Sequence, residues 1–295
     1  MKNPVVVNLT LLLIAFIWGL GFVPQRLGME YLGPGAFNAL RFMFGVLTLV
    51  PLLIFTKSIK VSALTDKTTV GLGIVLGGLL FAGSLFQQIS IQYTSLANVG
   101  FITGLYVIIV PLLGFFLGLR YTGIVWLGGI VAIFGLYLMT GASNEVSLKG
   151  DLLAMIGAVF WALHLLVLAR KAGNHPQLVL AFYQFLFCAI FSLVFALYSE
   201  SKILPDVIAG YLWPLVNGVI VVGIAFTLQV MVMEHAEPFA ASLILALEAV
   251  FGALAGYLVF AEHLAWAALV GALMMLLGCL MAQLPGSEKD DLIGE

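Results

Sequence analysis

The sequence predicts an all-α integral membrane protein of ten transmembrane helices, arranged as two inverted five-helix repeats. Three observations carry that expectation. Hydrophobic residues make up 63% of the chain and charged residues only 9%, against roughly 25% charged in an ordinary soluble domain. Apolar runs of about 20 residues, the length that crosses a ~30 Å hydrocarbon core, follow one another with short polar breaks. The chain also repeats itself. A shift of about 142 residues brings Pro34 onto Pro176, Gln87 onto Gln229, Gly114 onto Gly256 and Gly129 onto Gly271, and Trp18 meets Trp161 within one residue.

Taken in order, Gly, Pro and charge clusters divide the apolar runs into spans at about 7–27, 34–56, 70–93, 95–118, 122–141, 150–170, 176–199, 210–233, 238–261 and 263–283. Residues 1–10 hold one lysine, and no small-residue cleavage site follows the first apolar run, so the first span reads as a retained helix and not a removed signal peptide. Residues 1–142 form the first repeat and 143–284 the second, with the polar stretch 142–149 joining them. Residues 285–295 are a short acidic tail expected to be disordered and cytoplasmic. Five spans per half is an odd number, so the second half enters the membrane upside down. Inverted repeats with a site at their interface mark alternating-access transporters.

Counting Lys and Arg at the span ends sets the orientation. With the N-terminus inside, the inner face receives Lys2, Lys57, Lys60, Lys67, Arg120, Arg170, Lys171 and Lys289, while the outer face keeps Arg26, Lys149 and Lys202. That bias puts both termini in the cytoplasm of a bacterial inner (plasma) membrane protein. A net charge of −2 argues against nucleic acid as a partner. Cys188 and Cys279 lie in apolar runs without metal-ligand spacing, and no phosphate loop or zinc motif is present, so no cofactor and no metal are expected.

The residues able to carry chemistry are the few polar ones inside spans. The stretch 243–264 is apolar and long enough to cross the bilayer, and Glu248 stands near its middle, with Gly252 and Gly256 in a G-x-x-x-G spacing beside it. A charge at that depth costs at least ~2.5–3.5 kcal/mol on insertion scales, so Glu248 is a candidate for proton coupling or gating. Arg41 is seven residues into the second span, ~10 Å deep at 1.5 Å per residue. Asn38 shares its face, along with Gly45 and Thr48. Arg41 is either an anchor for a substrate carboxylate or phosphate, a structural arginine between helices, or the partner of Glu248 in a pair or gate. Trp18, Gly21, Phe22 and Gln25 form one face of the first helix and Gly157, Trp161 and His164 one face of the sixth, positioned to line a central cavity or to pack. Gln87, Gln88 and Gln229, with Asn98 and Tyr106 in the fourth span, are hydrogen-bonders for a polar substrate or for neighbouring helices. Pro24 and Pro111 are candidate kinks, and Glu262 is an interfacial residue. The substrate-binding set is thus Trp18, Gln25, Asn38, Arg41, Gln88, Tyr106, Trp161, His164 and Gln229, with Glu248 and Arg41 for coupling or gating.

Three motifs carry a resemblance. Trp18-Gly19-Leu20-Gly21-Phe22 is like W-G-x-x-F, Leu40-Arg41-Phe42 is like L-R-F, and Leu247-Glu248-Ala249-Val250-Phe251 running on to Glu262 is like L-E-P-V-F … G-E. In order and spacing they resemble the drug/metabolite transporter (DMT) superfamily, in its EamA-like branch of ten-helix small-metabolite exporters. Ala249 and Ala261 depart from that pattern, which has Pro and Gly there, and the missing proline implies a straighter ninth helix. The resemblance implies a secondary-active carrier moving a small polar or amphipathic, amino-acid-like metabolite outward around a midplane cavity. Its partners would be that small molecule, the lipid bilayer and protons, and the protein would be a monomer or weak homodimer. An exchanger of phosphorylated or nucleotide-linked substrates, a lipid flippase and a membrane enzyme are the rival readings. The enzyme lacks a reaction centre, since Arg41 and Glu248 alone make a poor one.

Overall fold

The computed structural model describes residues 3–55, 64–93, 96–116, 118–119, 121–140, 147–200, 203–261 and 266–282. Glu262, Arg120, the side chain of Asn98 and the C-terminal tail lie outside them. The described residues are helical, with no strand among them. Seven helical segments are long and apolar enough to cross a membrane: Pro4–Gly28, Pro34–Phe55, Lys67–Ser90, Leu148–Asn174, Gln177–Ser199, Leu212–Met233 and Pro238–Phe260. Three shorter apolar segments, Ile102–Phe116, Gly123–Leu138 and Trp266–Ala282, also occur among the described residues. The protein is a multi-pass membrane protein.

Helix starts are set by local chemistry. α1 (Pro4–Gly28) is capped by Asn3, whose side chain accepts from the Val5 N–H at 2.9 Å, with Pro4 in the first turn where its missing N–H costs nothing. α2 (Pro34–Phe55) is capped from far along the chain, because the Glu200 carboxylate accepts from the Gly35 and Ala36 N–H groups at 2.6 and 3.0 Å. α3 (Lys67–Ser90) starts at Asp66, which accepts from the Thr69 N–H and from the hydroxyls of Thr68 and Thr69. Those hydrogen bonds hold the Asp66 carboxyl well below the usual carboxylate range. Because the folded value is depressed, the stabilisation is present above the unfolded value of ~3.9 and is lost as pH falls below it. The gap in Tm between wild type and Asp66→Ala should therefore hold steady from neutral to mildly acidic pH and close under stronger acid. A gap that instead widens on acidification would refute the cap.

The first half continues with α4 (Leu96–Gly104), α5 (Tyr106–Phe116) and α6 (Gly123–Thr140). The second half has α7 (Leu148–Lys171), capped by Ser147, and α8 (Gln177–Ser199), α9 (Ile203–Gly210) and α10 (Leu212–Asn217). A nine-residue π-helical segment, Gly218–Phe226, then leads into α11 (Thr227–Met233). α12 (Pro238–Leu245), capped by Glu237, α13 (Glu248–Phe260) and α14 (Trp266–Ala282) end the described chain.

Two of these elements correct the sequence expectation. Within 243–261 the helix is interrupted although no proline stands at Ala249. At Ala246 and Leu247 the hydrogen-bond ladder slips from four residues back to three: Leu247 N donates to the Ile244 carbonyl, Ala249 N to Ala246 and Val250 N to Leu247. The span 95–118 is interrupted in the same way at Leu105, with Leu105 N bonded to Ile102 and Ile108 N to Leu105. The two slips sit at equivalent positions of the two halves, just before Tyr106 and Glu248.

Packing repeats in the same sense. α1 lies against α13, and α7 correspondingly against α4 and α5; α3 lies against α7, and α1 against α10 and the π segment. α3 packs on α8 as the π segment packs on α2, while α2 with α8, and α6 with α14, pair across the halves. Exchanging the halves thus maps each of these contacts onto another. Among the close approaches that require glycine, two involve the helices that carry the site. A Cβ at Gly19 of α1 would sit 2.5–2.7 Å from Phe251 Cβ, the Glu248 carbonyl and Gly252 N of α13. One at Gly218 would run into the Arg41 carbonyl of α2.

Candidate functional site

Where the two halves meet, Trp18, Phe22, Gln25, Arg41, Gln87, Thr103, Tyr106, Trp161, Leu165, Val221, Phe226, Gln229, Leu245 and Glu248 enclose a cavity of about 50 Å³. Ten of these residues are repeat equivalents at the offset of about 142. They are Trp18 with Trp161, Phe22 with Leu165, Gln87 with Gln229, Thr103 with Leu245, and Tyr106 with Glu248. The cavity is therefore built twice from the same helix positions, and its chemistry comes from where the copies differ. Glu248 replaces a phenol by a carboxylate at the first residue after the slipped turn, in electrostatic reach of Tyr106. Arg41 has no equivalent arginine in the second half.

An aromatic stack forms one wall. The Phe226 ring lies 4.8 Å from Trp18 and 5.8 Å from Trp161, nearly parallel to the latter at 17°. Polar groups form the rest. Gln87 Nε2 donates to the Thr103 hydroxyl at 3.3 Å, and Gln25 Nε2 to the Gly21 carbonyl at 3.3 Å. Among the described residues, Trp18 Nε1, Trp161 Nε1, Gln25 Oε1, the Tyr106 hydroxyl and Gln229 Oε1 have no hydrogen-bond partner. Such groups each need an explanation, and a polar ligand in the cavity would supply partners of both kinds.

Arg41 is 3% exposed, and its guanidinium carbon lies 5.0 Å from the Phe42 ring centroid and 5.8 Å from that of Phe37. No carboxylate among the described residues lies within 4.0 Å of it. The pair with Glu248 considered from the sequence is not formed in this conformation, although both residues line one cavity.

Three residues expected at the site are placed elsewhere. His164 is fully buried, with Nε2 3.1 Å from Gln184 Oε1, an interhelical contact between α7 and α8. Asn38 and Gln88 are fully buried in the bundle and are not part of the cavity wall. In each case the helical face was polar, but it turned toward a neighbouring helix. Conversely, Thr103, Leu165, Val221, Phe226 and Leu245 line the cavity without having been singled out. Thr103, Leu165 and Leu245 could have been found from the repeat, as equivalents of each other or of Phe22. Phe226 and Val221 could not, because the π segment that directs them inward has no copy in α3.

Against known proteins, the model of the EamA-like transporter family matches this chain twice, over residues 6–141 and 148–283. The chain belongs to the EamA-like transporter family. It is a transporter and not an enzyme. An uncharacterized transporter of Archaeoglobus fulgidus is 28% identical over 281 residues, 94% of this chain and 85% of that protein. The uncharacterized transporter YoaV of Bacillus subtilis (strain 168) is 22% identical over 284 residues, 93% of this chain and 96% of its own length. A solved crystal structure superposes with a TM-score of 0.78 at 21% identity, covering 94% of this chain and 95% of that one, a likeness of fold. The tandem family match and the duplicated lining put the EamA-like repeat and the cavity in register.

Proposed function

We propose that this EamA-like protein is a ten-span, secondary-active exporter of a small zwitterionic, amino-acid-like metabolite, working by alternating access between two inverted repeats. The observation that carries the reading is the duplicated cavity, with Arg41 and Glu248 both in its wall and not paired with each other. Arg41 takes a substrate carboxylate, Glu248 an ammonium or a coupling proton, and the Trp18–Phe226–Trp161 stack the apolar part. The exchange of packing contacts between halves supports two copies rocking about a shared centre. The lysine and arginine bias supports cytoplasmic termini in a bacterial inner membrane. At about 50 Å³ the cavity holds only a few water-sized spheres of ~10–15 Å³, which suits a small cargo. A phosphorylated substrate would call for several cations, and among the described residues Arg41 is the only one lining the cavity.

Transport by proteoliposomes, with a panel of amino acids and small metabolites at two pH values, tests the reading. Wild type should move at least one zwitterion faster with a proton gradient than without it, and Glu248→Gln should retain downhill flux while losing the gradient effect. Identical gradient dependence in both proteins would remove Glu248 from coupling. Absence of flux for every zwitterion in wild type would overturn the cargo assignment.

A further inference from the structure

The seam between α2, α3 and α8 holds polar side chains that the cavity leaves mostly unused. Each helix contributes two of them, one turn apart: Arg41 and Asn38 on α2, Ser84 and Gln88 on α3, Cys188 and Ser192 on α8. They form two layers. In the first, the Cys188 thiol lies near the Arg41 guanidinium and beside the Ser84 hydroxyl, with Ser192 reaching it from the second layer. One turn toward the end of the bundle where α2 begins, the second layer holds Asn38, Gln88 and Ser192.

Helix directions place these three on the Glu200 side of Arg41. α2 runs against α8, since the Phe42 and Phe185 rings meet at 6.2 Å while Gly35 faces Phe195 and Ala196. α3 runs with α8, since Gly77 rests on Gln184 and Cys188, and Phe81 on Phe191 and Phe195. All six side chains are 3% exposed or less. Beyond them Glu200 closes the end through its hydrogen bonds to Gly35 and Ala36.

The layers are buried, yet both amide atoms of Asn38, both of Gln88 and Arg41 Nε have no partner among the described residues. Polar side chains that serve to hold transmembrane helices together bond across the interface. Here two amides, each with donor and acceptor, sit in one seam without doing so, and leaving them unpaired carries a desolvation cost. Irregular or polar surface at membrane depth is tolerated where it meets water in a cavity. Arg41 belongs to both the cavity wall and the first layer, so the column is continuous with the cavity.

We propose that this column is the closed leg of the translocation path. When α8 parts from α2 and α3, water enters between Asn38, Gln88 and Ser192. The cavity then opens past Arg41 to the face at which Glu200 sits. This rests on the carrier reading above and names the route by which its cargo leaves the cavity. The walls are uncharged hydrogen-bonders, suited to passing a polar solute without holding it.

The two native cysteines test it in the unmodified full-length chain. Cys188 is in the first layer, whereas Cys279 is buried in the core with its thiol donating to the Leu243 carbonyl at 3.1 Å. An impermeant methanethiosulfonate ethylsulfonate reagent is applied to right-side-out and to inverted membrane vesicles, and both thiols are read by peptide mass spectrometry. Cys188 should be modified about tenfold or more faster than Cys279, the difference between a gated opening and global unfolding, and from the Glu200 face only. Asn38→Leu with Gln88→Leu, which seals the second layer with apolar side chains, should slow Cys188 to near the rate of Cys279. Cys188 reacting no faster than Cys279 in wild type, or only after denaturation, would overturn the path. Labelling needs no substrate, so a chain that labels as expected yet moves no zwitterion keeps the path and loses the proposed cargo.

Discussion

Gly19→Val should leave no monodisperse folded protein, and Gly19→Ala should lower Tm by several degrees. The cause is the approach of α1 to α13. A Cβ at Gly19 would stand 2.5 Å from Phe251 Cβ and 2.7 Å from both the Glu248 carbonyl oxygen and Gly252 N. Two of those three atoms are backbone and cannot rotate aside, so α1 must retreat along its contact with α13. Overpacking a core costs about 1–3 kcal/mol where side chains can adjust, and this contact leaves them little room. The retreat also moves Glu248, whose own carbonyl is one of the atoms struck. Gly71 in α3 gives the control, since nothing lies within 4 Å of a Cβ placed there. Gly71→Ala should be neutral or stabilising by up to about 1 kcal/mol, the helix-interior difference between glycine and alanine. Size-exclusion profiles and melting in detergent read all three, and a Gly19→Val protein that melts like wild type would show that the helices do not meet there.

Much of this architecture can be read from the residues, and the failures share one origin. Pro34 with Pro176 and Trp18 with Trp161 announce the repeat because they are rare types at a fixed offset. Among the described residues, seven helical segments meet the length and hydropathy needed to span a membrane. The repeat is legible in the residues, whereas the interruptions inside a span are set by packing. The slips at Leu105 and at Ala246 and Leu247 lie in runs that periodicity reads as uninterrupted helix, and no proline marks them. The π segment lies in GVIVVGIAF, apolar throughout, where Gly218 and Gly223 press on Arg41 and Thr48 of α2. A polar face identifies a helix side that avoids lipid. It does not say whether that side meets a cavity, as for Gln25 and Gln229, or another helix, as for His164.

Arg41→Met should abolish most transport while leaving Tm unchanged or raised. A structural arginine and a substrate anchor predict opposite stabilities, which makes the pair of measurements decisive. Arg41 is 3% exposed, its Nε has no partner, and no acidic group among the described residues lies within 4.0 Å. The faces of Phe37 and Phe42 lie beside it. Exchanging buried ionic groups for apolar residues of similar volume is often neutral or stabilising by about 1–4 kcal/mol. A methionine fills the space between those rings with a flexible, polarizable chain. Transport responds the other way. A charge-assisted hydrogen bond to a substrate carboxylate is worth about 1.5–3 kcal/mol, which is roughly 10–150-fold in affinity. Arg41→Lys should fall between, because an ammonium keeps the charge but not the bidentate fork. Should Arg41→Met instead melt well below wild type, with Arg41→Lys restoring both Tm and flux, the guanidinium would be holding helices together and the anchor would have to be sought among Gln87, Gln229 and Tyr106.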